Sequence, residues 1–301
     1  MARMPEQPIR YIESELVSDL VPSPAAFSVL LPPVYGAAPG HLPLLLFLHG
    51  GNGNRDFLAN MRPLIEQCWA DGTLPPMVVA TPTAGRSFYM DYRDGTEKWE
   101  TFVSGPFIDH IRSTYQVIKE PSGTLLMGIS MGGMGGLRMA FRNPERYRAV
   151  VALEPGVDPA LAWKDLRPDH KFWRSQELFE EIYGRPIDEA YWAETNPASM
   201  VAAGAAARLR DSGLAIYLDA GDQDFFNLHV ATEFLHRVLW EHDVPHEYHL
   251  VRWADHVGGT VRPRMIEGFE FLARALNPPE PDEAVRMLRA QLGPLKARAS
   301  Q

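Results

Sequence analysis

Short apolar runs separated by longer amphipathic stretches set the rhythm of this chain. The runs are residues 42–48 (LPLLLFL), 77–80 (MVVA), 124–129 (TLLMGI), 149–153 (AVVAL), 215–218 (AIYL) and 248–251 (YHLV). Continuous rather than alternating apolarity predicts strands buried on both faces, as parallel sheets require. Residues 13–21 and 26–31 read instead as antiparallel edge strands. Between the runs, residues 100–115 put Phe102, Phe107, Ile108 and Ile111 near one face at helical spacing. Residues 132–143, 228–242, 264–276 and 283–292 predict further helices, and the Ala-rich stretch 202–209 reads as plain helix from its propensity. Strand and helix in alternation give an α/β fold, a mainly parallel central sheet flanked by helices.

Residues 158–200 break the alternation. They mix charges with Trp163, Phe172, Trp173, Phe179, Tyr183, Tyr191 and Trp192. This reads as a small cap inserted over the carboxyl edge of the sheet, within a single domain spanning 1–301. The composition suits one sizeable core, with 301 residues, 46% hydrophobic and 22% charged. The formal net charge is -9 and no basic stripe is present. Nucleic acid is therefore not an expected partner, because phosphate neutralisation supplies most of such affinity. Cys68 is the single cysteine, which excludes an intramolecular disulfide; beside Trp69 in a helix-like stretch it reads as a buried thiol. Residues 1–20 carry charges throughout and lack the apolar core of a secretory signal. No run approaches the roughly 20 apolar residues of a membrane span. The expected location is cytoplasmic, without membrane contact; a homo-oligomer is compatible with the sequence, which does not select one.

The chemistry concentrates in Gly128-Ile129-Ser130-Met131-Gly132, at the junction of a predicted strand and helix. A Gly-x-Ser-x-Gly there can hold its serine on a tight, strained turn, with small residues on either side letting strand and helix approach. The serine then projects at a helix N-terminus, where free N–H groups favour developing negative charge. Such a nucleophile needs a base, and the base an orienting acid, in the chain order Ser, acid, His. After Ser130, the strand at 215–218 runs into Asp219-Ala220-Gly221-Asp222-Gln223-Asp224. Asp224 is the first choice of acid and Asp222 the second. Asp219 comes third, since it belongs to the strand end and reads as structural. His256, in the loop after the last strand, is the base; His110, His229, His236 and His242 fall on helices, His170 in the cap, and His246 and His249 on a strand. The two oxyanion donors are the Met131 N–H and, from the loop after the strand at 42–48, the Gly51 N–H, with Asn52 as its alternative. His49 reads as a brace for that loop. Neither a dinucleotide fingerprint, a phosphate loop nor a zinc spacing is present, and the expectation is no cofactor and no metal.

The elbow at Ser130, His49-Gly50-Gly51, Gly221-x-x-Asp224 and His256 together resemble an esterase group within the α/β-hydrolases. That group holds esterase D-like S-formylglutathione hydrolases, feruloyl and acetyl xylan esterases, and mycolyltransferases. Residues 87–92 (SFYMDY), 98–102 (KWETF) and 182–186 (IYGRP) look similar to the same proteins. The resemblance spans roughly residues 25–275. It implies the α/β-hydrolase fold and a serine carboxylic-ester hydrolase that works through an acyl-enzyme on a small or medium acyl ester. Trp163, Trp173 and Trp192 are candidates for the acyl pocket, the alternative being that they pack the cap's own core. Two other functions stay open. One is an acyltransferase to a non-water acceptor, and the other a non-catalytic binding protein on a hydrolase fold.

Overall fold

The computed structural model describes residues 8–37 and 40–299; residues 1–7, part of the charged N-terminal stretch read above, lie outside the described residues. Eight strands form one sheet: β1 (Arg10–Leu16), β2 (Ala25–Leu31), β3 (Leu44–Leu48), β4 (Val78–Pro82), β5 (Thr124–Ile129), β6 (Ala149–Leu153), β7 (Ala215–Gly221) and β8 (Glu247–Val251). Their order across the sheet is β1-β2-β4-β3-β5-β6-β7-β8. β1 and β2 are antiparallel to their neighbours, and all pairings from β4 to β8 are parallel. The apolar runs are therefore strands of a mostly parallel sheet. The first edge strand ends earlier than its sequence suggests, because pairing with β2 closes at Leu16 opposite Ala25 and leaves Val17 exposed.

Period-two geometry divides each run between two cores. In β3, Leu44, Leu46 and Leu48 face one layer, with Leu126, Val150 and the helices Met131–Arg142 and Leu228–Glu241. Leu45 and Phe47 face the other, against the helices Asp56–Asp71 and Val261–Leu276. Both faces are covered, which is why the runs are continuously apolar. Cys68 is buried in the second layer.

Two predicted helices are interrupted. The helix expected at 100–115 consists of Trp99–Phe102, a wide π turn Val103–Phe107 and Ile108–Thr114. Pro106 inside that turn has no N–H to give the i−4 ladder, and the chain widens around it. The Ala-rich stretch is likewise not plain helix. Val201–Ala205 is a distorted turn with Gly204 at φ 122, and regular helix starts at Ala206–Ser212.

Residues 158–200 fold as short helices after β6, including Gln176–Tyr183 and Glu189–Thr195. Ser175 and Asp188 cap these two, accepting from the Leu178 and Tyr191 N–H groups at 3.2 and 3.0 Å. Among the described residues, no helix is long and apolar enough to cross a membrane. β3 pairs with β4 on one side and β5 on the other, so the chain reverses direction across the sheet at β3. Crevices open beyond the carboxyl ends of the strands at such a point.

Candidate active site

Ser130 stands directly beyond β5 at φ 56, ψ -116, a strained conformation for a residue with a side chain. Backbone bonds on both sides hold it there: its N–H donates to Leu153 O at 2.8 Å, and its carbonyl accepts from Gly156 at 2.9 Å. Two glycines make the turn possible. A Cβ on Gly132 would collide with the Leu48 carbonyl, and one on Gly128 with the Gly132 backbone. Met131 is the first residue of the following helix, where N–H groups have no partner in the preceding turn.

The loop after β3 approaches the same point, since a Cβ on Gly50 would stand 3.7 Å from Ser130 Cβ. His49 fixes this loop. Its Nδ1 donates to Gly50 O at 2.7 Å, and its Nε2 accepts from the Ala84 N–H at 2.9 Å. Burial drives the His49 pKa down to about 4, against a smaller opposing effect of the Gly50 carbonyl, so the ring is neutral. A neutral ring with both nitrogens engaged braces the loop and has no free lone pair for proton transfer.

His256 follows β8, buried to 8% exposure. Its Nδ1 donates to Asp224 Oδ2 at 2.8 Å. Asp224 Oδ1 accepts from the Phe226 N–H at 2.8 Å, which fixes the carboxylate. Of the three candidate aspartates, this is the one that meets the imidazole. Asp222 accepts from the Trp253 N–H at 2.7 Å, and Asp219 is ion-paired with Arg264. In the neutral ring Nδ1 carries the proton and Nε2 the lone pair.

A second carboxylate, which sequence reasoning missed, faces the same nitrogen. Glu154, just beyond β6 and 1% exposed, has Oε2 2.9 Å from His256 Nδ1, while its Oε1 pairs with Arg264. Burial disfavours the imidazolium, but the adjacent Asp224 and Glu154 outweigh it and push the His256 pKa up to about 9. Glu154, Asp224 and His256 bring three donor atoms within 4.8 Å of one another. The N···O contacts to Nδ1, at 2.8 and 2.9 Å, are separations of a hydrogen bond and an ion pair. They are shorter than the spacing of about 3.3 Å that tetrahedral ligands keep around a zinc ion.

A cavity of about 520 Å³ opens over Ser130, lined also by Gly51, Met131 and His256. Its apolar walls are Phe88, Trp173, Leu178, Phe226 and Val257, with Arg86 and Arg174 as its cations. Trp173 alone of the three candidate tryptophans reaches it. Trp163 packs edge-on against Phe179 and Trp192, and Trp192 is fully buried with its N–H on Asp158 at 3.0 Å. Asp158 also pairs with Arg174, and those two rings pack into the core layer on that face of the sheet.

The pattern of the family described as "Putative esterase" matches residues 18–269. The chain belongs to this esterase family. Among its relatives, an acetyl esterase of Caldicellulosiruptor saccharolyticus is 30% identical over 118 residues, covering 39% of this chain and 42% of that protein. The chain spans less than half the length of the curated relatives it matches first. In fold, this esterase-family chain is similar to a ferulic acid esterase, with TM-score 0.74 at 22% identity over 90% of this chain and 100% of the other. An S-formylglutathione hydrolase from Agrobacterium tumefaciens gives TM-score 0.73 at 20% identity, over 89% and 96%.

The pairing that shapes one wall of this cavity had no local signal, although residues 87–92 and 98–102 resemble the family. Phe88 and Tyr89 both adopt positive φ, and the buried Arg138 clamps their two carbonyls at 2.7 Å each while pairing with Glu100. That clamp presents Phe88 to the cavity. An arginine inside a glycine-rich helix and a glutamate 38 positions earlier carry no motif that announces the pairing.

Proposed function

We propose that this chain hydrolyses carboxylic esters through an acyl-enzyme on Ser130. In this reading Ser130 Oγ attacks the ester carbonyl while His256 Nε2 takes its proton. The Gly51 and Met131 N–H groups hold the oxyanion, and His256 then protonates the departing alcohol. Water repeats the sequence against the acyl-enzyme and frees the acid. Asp224 keeps Nδ1 protonated and stabilises the imidazolium without taking the proton. The observation that carries the reading is the 2.8 Å Asp224–His256 contact beside a cavity floored by a serine at φ 56. The cavity volume and aromatic walls favour a small or medium acyl group, in keeping with the acetyl and ferulic acid esterases it resembles.

The test is hydrolysis of p-nitrophenyl esters from acetate to palmitate by wild type and Ser130→Ala. The expected result is turnover of the shorter esters by wild type and a loss of about 10⁴-fold or more in the variant. Wild type no faster than the variant on every ester would overturn the reading.

A second reading, acyl transfer to an apolar alcohol, is favoured by one feature. An apolar cavity of about 410 Å³ adjoins His256 on the side of Phe57, Met61, Leu64 and Met265. An acceptor seated there would compete with water, and added long-chain alcohol would then divert product from free acid to a new ester.

A further inference from the structure

Nδ1 of a catalytic imidazole has one proton and ordinarily one acid to receive it. Here two carboxylates converge on it from different strands. Asp224 Oδ2 lies along the N–H direction and takes the hydrogen bond at 2.8 Å. Glu154 Oε2 stands 2.9 Å from the same nitrogen, off that direction, and is buried without a hydrogen-bond partner of its own among the described residues. A buried carboxylate oxygen left in that state is costly unless a positive charge faces it. The imidazolium formed during acyl transfer is such a charge.

The surroundings hold Glu154 in this place. Its φ is 45, a left-handed backbone for a residue with a full side chain. Its N–H donates to Asp219 O at 2.7 Å, tying it to the end of β7. The groups facing it are Arg264 from the helix Val261–Leu276, Asp219 from β7, and Asp224 and His256 from the loops after β7 and β8. Arg264 already has a carboxylate partner in Asp219, through its Nε at 2.8 and 3.0 Å. Balancing Arg264 therefore does not require the second oxygen of Glu154 to stand against His256.

We propose that Glu154 is a second positioning carboxylate for His256, sharing with Asp224 the orientation of the ring and the stabilisation of its charged form. The inference rests on the esterase reading above. The proton path is unchanged: the Ser130 hydroxyl proton passes to Nε2, the Nδ1 proton stays, and both carboxylates remain ionised. Two acids in place of one make each partly dispensable. They also hold the base charged to higher pH, so that hydrolysis gains as the medium becomes alkaline.

The experiment compares wild type, Glu154→Gln, Asp224→Asn and the double variant in two measurements. The first is kcat/KM against pH on p-nitrophenyl acetate. The second is the titration of the ¹⁵N-labelled His256 ring by NMR, which needs no turnover. Glu154→Gln is expected to move both the rising limb of the pH profile and the ring titration to lower pH by about one unit. Asp224→Asn is expected to lose about 10²-fold rather than the roughly 10⁴-fold of a triad with a single acid. Adding Glu154→Gln to Asp224→Asn should then cost far more than it does in wild type. Unchanged ring titration in Glu154→Gln, or the same loss in both backgrounds, would overturn the proposal. If wild type turns over no ester, the esterase reading fails, and the NMR titration still decides whether Glu154 acts on the ring. Should Glu154→Gln not fold, Glu154→Asp draws the carboxylate back by one methylene while keeping its charge. A titration identical to wild type in that variant would count against the proposal, and a smaller downward shift would support it.

Discussion

Arg264 shows how much of this site's electrostatics rests on one side chain. It is 3% exposed and pairs with both Asp219 and Glu154. Burial pushes the Asp219 carboxyl above its ordinary range even with the guanidinium alongside. Removing the cation while leaving two buried carboxylates strands uncompensated charge, and breaking such a network costs about 3–5 kcal/mol. Arg264→Met is therefore expected to lose about that much stability in a urea melt. A change under about 1 kcal/mol would mean that water reaches this cluster and screens it. Residue by residue, the sequence made Ser130 legible because its requirements are local. His256 and Asp224 followed from chain order. Glu154 was not legible, because Leu153-Glu154-Pro155 has no spacing that points to a histidine 102 positions away; adjacent strand ends bring the two together.

At the scale of the element, the strand–turn–helix unit around Ser130 depends on which glycines lie where. Gly132 and Gly136 belong to the same helix, Met131–Arg142, but their surroundings differ. A Cβ on Gly132 collides with backbone at Leu48, which cannot move without breaking β3. On Gly136 the nearest atom would be Val150 Cγ2 at 3.5 Å, an ordinary contact. Gly132→Ala is expected to cost about 3 kcal/mol or more, or to prevent folding. Gly136→Ala should gain up to about 1 kcal/mol from helix propensity. Paired thermal melts check both, and equal effects would show that the elbow is looser than its contacts indicate. The strands were readable from apolar runs because both faces are buried. The break at Pro106 and the turn at Gly204 were not resolved, since periodicity over 100–115 and alanine content over 202–209 average across a local interruption.

For the molecule as a whole, the cavity over Ser130 is made jointly by the carboxyl edge of the sheet and by residues 173–178. Trp173 joins the two. Its ring lies 6.0 Å from Phe88 and 5.7 Å from Phe226, with the Arg174 guanidinium over its face at 4.2 Å. Trp173→Ala removes one wall of the cavity and keeps the buried Asp158–Arg174 pair beside it. The ratio of kcat/KM for p-nitrophenyl octanoate over acetate is expected to rise by about tenfold, the equivalent of roughly 1.4 kcal/mol of relieved crowding. An unchanged ratio would place the acyl chain elsewhere, with the apolar cavity beside Met265 as the alternative.

The sequence by itself determined what depends on near neighbours along the chain: buried strands, most helices, and the small residues flanking a serine at a strand–helix junction. Tertiary structure decided what depends on which elements become neighbours. The parallel order β5-β6-β7-β8 sets the ends of four strands side by side, so Ser130, Glu154, Asp224 and His256 follow them into one edge. The same packing turned Trp173 toward the cavity and Trp163 and Trp192 toward the core. Aromatic content records that a side chain must be buried; only the packed chain fixes against what.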